Sequence, residues 1–203
     1  MALVSAATLR EYLPEIQGSD LDSDLNGLIS RVEAAVARYL GFSLADGATA
    51  LTLDQSTYTL YLDGPMYALP TVLQLPIKPL VSVTSIHSDP DLEYDSSTLI
   101  AGSQYDSDLI NSRVILKTDS TASFDRGYRN IKAVIVAGFA TGSPPPDLVH
   151  AICVWASHLQ RAKSNQGSEN VTQRNSTIRL SPRTMPDEVR ELLRDFRNVS
   201  TIL

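Results

Sequence analysis

The stretch Asn130–His158, NIKAVIVAGFATGSPPPDLVHAICVWASH, constrains this chain more than any other. Ile131 to Val136 is an apolar, largely β-branched run and reads as a strand. Gly138 and Gly142 close it, and Pro144, Pro145 and Pro146 lack the N–H donors that would continue a ladder. Asp147 supplies a carboxylate for the first turn of a helix, and Leu148, Ile152, Trp155 and Leu159 then recur at three- and four-residue steps. A buried strand therefore passes through a stiff proline turn into an amphipathic helix. No part of this stretch carries catalytic chemistry, so it fits a protein that works by packing and assembling.

Length and charge narrow the class. A chain of 203 residues suits one medium domain, or a core with a sizeable insertion, and buries a real hydrophobic core. Apolar content of 43% and charged content of 20% are globular values. Residues 1–146 hold 9 Lys/Arg against 17 Asp/Glu, a net −8, whereas residues 147–203 hold 8 against 6, a net +2. An acidic body with a weakly basic tail is not built to grip nucleic acid, which takes clustered cations. The single cysteine, Cys153, excludes a disulfide framework and reads as a small buried hydrophobe. The N-terminal MALVSAATLREYL has no basic, then apolar, leader pattern, and no apolar run reaches the roughly 18 residues of a membrane span. The expectation is a protein made in a reducing cytoplasm, with no membrane partner and with the sequons at Asn170, Asn175 and Asn198 unused.

The predicted fold class is α+β: a mainly helical core with a small antiparallel or mixed β-sheet inserted at about 51–137. Ser5 caps a short helix over 6–13, closed by Pro14. The second helix, over 20–40, starts at Ser19 or Asp20 and ends at Gly41. Leu21, Leu25, Leu28, Ile29, Val32, Val36, Tyr39 and Leu40 form its apolar stripe, and Arg31, Glu33 and Arg38 are predicted to face water. Strands are predicted around Tyr58–Leu62 before an Asp63-Gly64-Pro65 turn, at Leu73–Leu75, at Val81–Ser85, at Arg113–Lys117 and at Ile131–Val136. A third helix covers 147–163. Core 1–159 is then followed by 160–203, in which 160–182 reads as a polar surface arm and 187–198 as a last helix after Pro186. Val189, Leu192, Leu193 and Phe196 make the apolar face of that helix, and Arg190, Arg194 and Arg197 its basic face. Beyond so polar an arm the helix is predicted to stand apart from the core and to dock on a partner.

Residues with chemical potential form no constellation. Asp89, Asp91, Glu93 and Asp95 match the opening of an EF-hand loop, but the sixth position is Tyr94 instead of Gly and the twelfth is Ile100 instead of Glu. His150 and His158 lie two helical turns apart, about 12 Å, too far to share a metal. His87 is isolated at a strand end. Cys153 and His150 are three residues apart, with nothing to orient or expose them as a nucleophile pair. No G-x-S-x-G and no glycine-rich phosphate loop occurs. The expectation is no catalysis, no cofactor and no metal.

Three features in order carry a family resemblance: a capped helix ending Tyr39-Leu40-Gly41, the proline-marked segment LQLPIKPLVSVTSI over 73–86, and the strand–turn–helix described above. Together they resemble the head–tail connector, or adaptor, proteins of tailed bacteriophages over about residues 3–160. In that family the β segment often reads L-x-L-P-x-x-P-V-x-S-V. Leu73, Leu75, Pro76, Pro79, Val81, Ser82 and Val83 fit it, with Leu80 where valine is commoner. The family's late strand commonly ends Tyr-x-Ala-Gly-aromatic. Val136, Ala137, Gly138 and Phe139 stand there, without the tyrosine.

The resemblance implies a non-enzymatic structural protein of the virion neck. Such adaptors form a homo-oligomeric ring, usually a dodecamer, between the portal protein and a downstream stopper or tail-completion protein. Genomic DNA passes through the lumen without sequence-specific binding. The resemblance further implies that 160–203 docks on the portal, with Val189, Leu192, Leu193 and Phe196 as apolar anchors and Arg190, Arg194 and Arg197 beside them. Asp106 and Asp108 are candidate lumen acids. The alternative is a calcium- or ligand-binding β module of a phage attachment protein, built on the β block and the Asp89–Asp95 loop.

Overall fold

The computed structural model describes residues 2–64, 71–163, 170–173, 176–179 and 185–198. The chain is α+β and divides into a helical unit, Met1–Leu40 with Thr141–Arg197, and a β unit, Gly41–Ala140 with Asn198–Leu203.

In the helical unit, α1 spans Ala6–Arg10 and α2 spans Asp22–Leu40. The Ser5 hydroxyl caps α1 by accepting from the Thr8 N–H at 3.1 Å, as the sequence predicts. The predicted helix over 6–13 stops early, continuing to Leu13 only as turns in which Tyr12 N donates to Leu9 O and Leu13 N to Arg10 O. On α2 the stripe Leu25, Leu28, Ile29, Val32, Val36 and Leu40 is buried, and Arg31 and Arg38 face water. Leu21 lies outside the helix and is 43% exposed. Glu33 corrects the prediction: it is buried, and its Oε1 accepts from the N–H groups of Leu3 and Val4 at 2.8 and 3.0 Å. The segment ahead of α1 would otherwise bury two donors without partners, so the carboxylate is drawn into the interior.

Helix α3 spans Pro146–Ala162, with Pro146 in its first turn, where the missing N–H costs nothing. Leu148, Ala151, Ile152, Cys153, Trp155, Ala156 and Ser157 are buried on it, and it packs against α1 and α2. Helix α4 spans Asp187–Leu193 and continues as a 3₁₀ turn over Arg194–Phe196. It packs on α3, with Val189 and Leu193 fully buried, so it is not the separate helix that the polar segment before it predicts. Within the predicted arm, strands β8 (Asn170–Gln173) and β9 (Ser176–Arg179) pair antiparallel. Residues 164–169, 174–175 and 180–182 of that arm, and Asn175 with them, lie outside the described residues.

In the β unit, β1 (Ser56–Leu62), β3 (Leu80–Ser88), β4 (Leu99–Ile100) and β7 (Ile131–Ala137) form an antiparallel sheet in the order β1-β7-β3-β4. A second antiparallel sheet takes the order β2-β6-β5, from Val72–Gln74, Arg113–Leu116 and Tyr105–Asp108. The predicted strands are all present, and β4 and β5 are additional. Strand β7 alternates strictly, with Ile131, Ala133, Ile135 and Ala137 buried and the residues between them half-buried. Pro65 of the predicted turn after β1 lies outside the described residues.

The motif after β7 has a steric cause. Gly138 sits at φ +115°, and a Cβ there would lie 2.5 Å from the Asp54 carbonyl oxygen, so only glycine fits. This close approach lets Phe139 exchange backbone hydrogen bonds with Leu53 and Gln55. The Phe139 ring then meets Phe42, centroids 6.2 Å apart, in the β core.

Candidate functional site

The residues predicted to dock on a partner divide into two groups. Val189 and Leu193 belong to the interior of the helical unit. Leu192 and Phe196 are half-buried, and Arg190, Arg194 and Arg197 are exposed. The arginines are held locally: Arg190 pairs with Asp187 at 3.0 Å, Arg194 with Glu191 at 2.9 Å, and the Arg197 guanidinium lies 5.2 Å from the centre of the Tyr39 ring. Exposed pairs of this kind contribute little to stability, and the three arginines stand among four carboxylates of the same segment, Asp187, Glu188, Glu191 and Asp195.

The acidic loop is organised from within. Asp89 is buried and accepts three backbone N–H groups, from Asp91 at 2.9 Å, from Glu93 at 3.0 Å and from Tyr94. Asp95 accepts from Ser97 N and Ser97 Oγ, and those bonds hold its carboxyl below the usual range. These carboxylates fix the turn that the residues at positive φ, Leu92 and Tyr94, require. Among the described residues no three His, Cys, Asp or Glu side chains converge as a metal site.

His150 accepts or donates at Nδ1 to the Tyr12 hydroxyl, 2.9 Å away, while His158 is exposed. Burial pushes the Cys153 thiol up to about 12, reinforced by the charges of Glu11 and Glu33, so it is no nucleophile at neutral pH. Asp108 is pinned in the β5–β6 turn. It accepts from Asn111 Nδ2 at 2.8 Å, Asn111 N at 3.1 Å and Arg113 Nε at 2.8 Å, which lowers its carboxyl to about 2. Asp106 is exposed, with Lys117 Nζ 3.8 Å away.

One cluster escapes the sequence reading. In the sheet, Tyr61 stands opposite Lys132, which stands opposite His87. Tyr61 and Tyr94 pack with ring centroids 5.4 Å apart. The Arg129 guanidinium lies 4.9 Å from the Tyr61 ring centre, and the Lys132 ammonium 5.6 Å from that of Tyr94. The Tyr94 hydroxyl donates to the Arg129 carbonyl, and Asp63 accepts the Arg129 N–H at 2.9 Å. Tyr61, Tyr94 and the Arg129–Lys132 segment lie some 30 or more residues apart, so only the β1–β7 register and the loop that carries Tyr94 bring the group together.

A helical unit and two antiparallel sheets, joined by a strand–proline–helix passage, define an α+β protein. The same fold occurs in particle necks. The chain superposes with a TM-score of 0.58 on a chain from the neck of an empty GTA particle computed with C6 symmetry, at 18% identity over 98% of this chain and 92% of that one. A chain from the neck of the native GTA particle computed with C12 symmetry gives 0.56, at 18% identity over 97% and 89%. A chain from the virion of the native gene transfer agent particle gives 0.51, at 16% identity over 92% and 82%. No protein-family model and no curated protein sequence matches the chain.

Proposed function

We propose that this protein is a structural component of the neck of a phage-like particle. It forms a homo-oligomeric ring between the portal and a downstream stopper or tail-completion protein and extends the channel through which genomic DNA passes. The observation that carries this reading is the correspondence of 98% of the chain with a chain of a particle neck, solved under ring symmetry. Charge agrees: the net −8 of residues 1–146 repels phosphate, so DNA slides past without sticking. The function is then mechanical, and no catalytic step is assigned.

The C-terminal segment is the docking element in this proposal. Val189 and Leu193 anchor α4 to its own unit, and half-buried Leu192 and Phe196 with exposed Arg190, Arg194 and Arg197 make up the proposed contact face. Truncation before α4 would remove core residues, so point changes test the claim. Purified protein mixed with the portal of the same particle and imaged by electron microscopy is expected to show a ring stacked on the portal. Arg190→Glu with Arg194→Glu should preserve the melting temperature and abolish the stack. Wild-type protein that never associates with the portal sinks the neck reading, and undiminished stacking by the double variant sinks the docking face.

A further inference from the structure

One sheet of this chain is too small to stand by itself. Strands β8 (Asn170–Gln173) and β9 (Ser176–Arg179) pair with each other and with no third strand among the described residues. An isolated two-stranded hairpin is at best marginally stable in water, and each outer edge presents unpaired N–H and C=O groups. The register says which groups these are. Gln173 faces Ser176 across a two-residue connection, so that pair exchanges hydrogen bonds. Bonded and non-bonded pairs then alternate. Val171–Ile178 is a bonded pair, and the N–H and C=O of Thr172 and Thr177 turn outward, one residue to each edge.

The larger sheet treats its edges differently. Outside β1, the Asp46 N–H donates to the Thr57 carbonyl at 2.9 Å, and the Asp46 carboxylate accepts the Thr59 N–H at 3.0 Å. Strand β3 is irregular at two places along its pairing with β7, and β4 covers part of its other side. Both devices blunt an edge against further strands. Among the described residues β8 and β9 have neither a register shift nor a covering strand.

We propose that the β8–β9 hairpins of successive copies pair edge to edge, β9 of one with β8 of the next, and close into one antiparallel barrel around the channel. The inference rests on the ring reading above. Rotational symmetry sets every copy's hairpin at one height and one radius, so the two neighbouring hairpins meet both edges alike. Any single partner strand satisfies one edge and leaves the other bare. Because β8 and β9 run in opposite directions, the joint between copies is antiparallel like the pairing within each. Two different edges meeting make a heterologous contact, the kind that closes a ring, and closure leaves no edge. Under twelvefold symmetry, two strands a copy at about 4.8 Å each give a barrel about 37 Å across before tilt widens it, with more strands than the roughly 16–18 that already leave an open channel.

Cysteines on the two edges test it, in the full chain assembled on the portal. One preparation carries Asn170→Cys or Thr172→Cys and the other Thr177→Cys or Arg179→Cys. The two are mixed before assembly and the rings are oxidised. Buried Cys153 stays silent. At least one of the mixtures is expected to give a disulfide-linked dimer. No single variant should, because equivalent strands lie a hairpin's width apart, about 10 Å, beyond the reach of a disulfide. Amide exchange over 170–179 should slow at least tenfold on ring formation. Thr177→Pro removes an outward donor and no bond of the chain's own hairpin, so it should cancel that slowing with the melting temperature unchanged. Rings that stack on the portal with no β8–β9 disulfide, or a disulfide from one variant alone, would refute the barrel and leave the neck reading intact. Slowed exchange without a disulfide would assign the edges to the portal and refute it equally. Wild-type protein that never forms a ring removes the neck reading and the barrel together.

Discussion

The helical unit and the β unit both place a carboxylate in their interiors, and they use it in opposite ways. In the helical unit Glu33 reaches Leu3 and Val4, some 30 residues away, and ties the chain's N-terminal segment to α2. In the β unit Asp89 accepts donors only two to five residues ahead of itself. The first joins distant pieces of backbone, and the second shapes a single turn. Loss of a long-range tie unravels a segment together with its apolar contacts, whereas loss of a local clamp exposes donors that water can reach.

The largest effect expected is at α4, which belongs to the helical unit through two side chains. Leu193→Ala removes a fully buried leucine and should cost about 2–5 kcal/mol in denaturant unfolding. A cost below 1 kcal/mol would mean that α4 is loosely attached in solution, restoring the separate helix that the polar segment predicts. Next, Glu33→Ala leaves two buried N–H groups without their acceptor and should cost about 3 kcal/mol. Amide exchange at Leu3 and Val4 should rise with it. Asp89→Ala should cost about 1.5 kcal/mol and raise exchange only at Asp91, Glu93 and Tyr94. Equal costs for these two changes would break the contrast between the units.

The smallest effect is a pH response at the β5–β6 turn. Hydrogen bonds from Asn111, then from Arg113, hold the Asp108 carboxyl at about 2, below its ordinary 3.8. A group depressed on folding stabilises the folded state above its unfolded value and loses that contribution as pH falls through the folded value. The Asn111 amide should therefore stay protected above pH about 4 and lose protection as pH falls toward 2. Carboxyl-detected NMR titration measures this, and an Asp108 midpoint near 3.8 would show that the turn does not hold the carboxylate.

Legibility in the sequence followed the range of the interaction. The α2 stripe from Leu25 to Leu40, the Ser5 cap, the proline entry to α3 and strands β1, β3, β6 and β7 declare themselves through period, branching and turn residues close by. Strand β5, Tyr-Asp-Ser-Asp, does not, because three of its four residues are polar and only its ladder to β6 makes it a strand. Strands β8 and β9 sit in a Ser-, Asn- and Gln-rich segment for the same reason.

The candidate surfaces follow the same rule. The amphipathic character of α4 is plain from Val189, Leu192, Leu193 and Phe196, but the sequence does not say that two of these face α3. The exposed hairpin tip shows as Leu109-Ile110 between Asp108 and Asn111, with nothing local to tell a buried pair from an exposed one. The aromatic–cationic surface is silent in sequence, since Tyr61 meets Lys132 only through β1–β7 register, and Tyr94 arrives from a separate loop.

Composition, helical period, β-branching and proline placement were enough to establish an α+β chain with an acidic body, because each rests on one residue's preferences or on neighbours within a turn. Folding settled what those preferences leave open: that Glu33 turns inward, that α4 joins the helical unit, and that two tyrosines and two cations share one surface. These depend on partners tens of residues apart, where burial and unmet hydrogen bonds outweigh any local tendency.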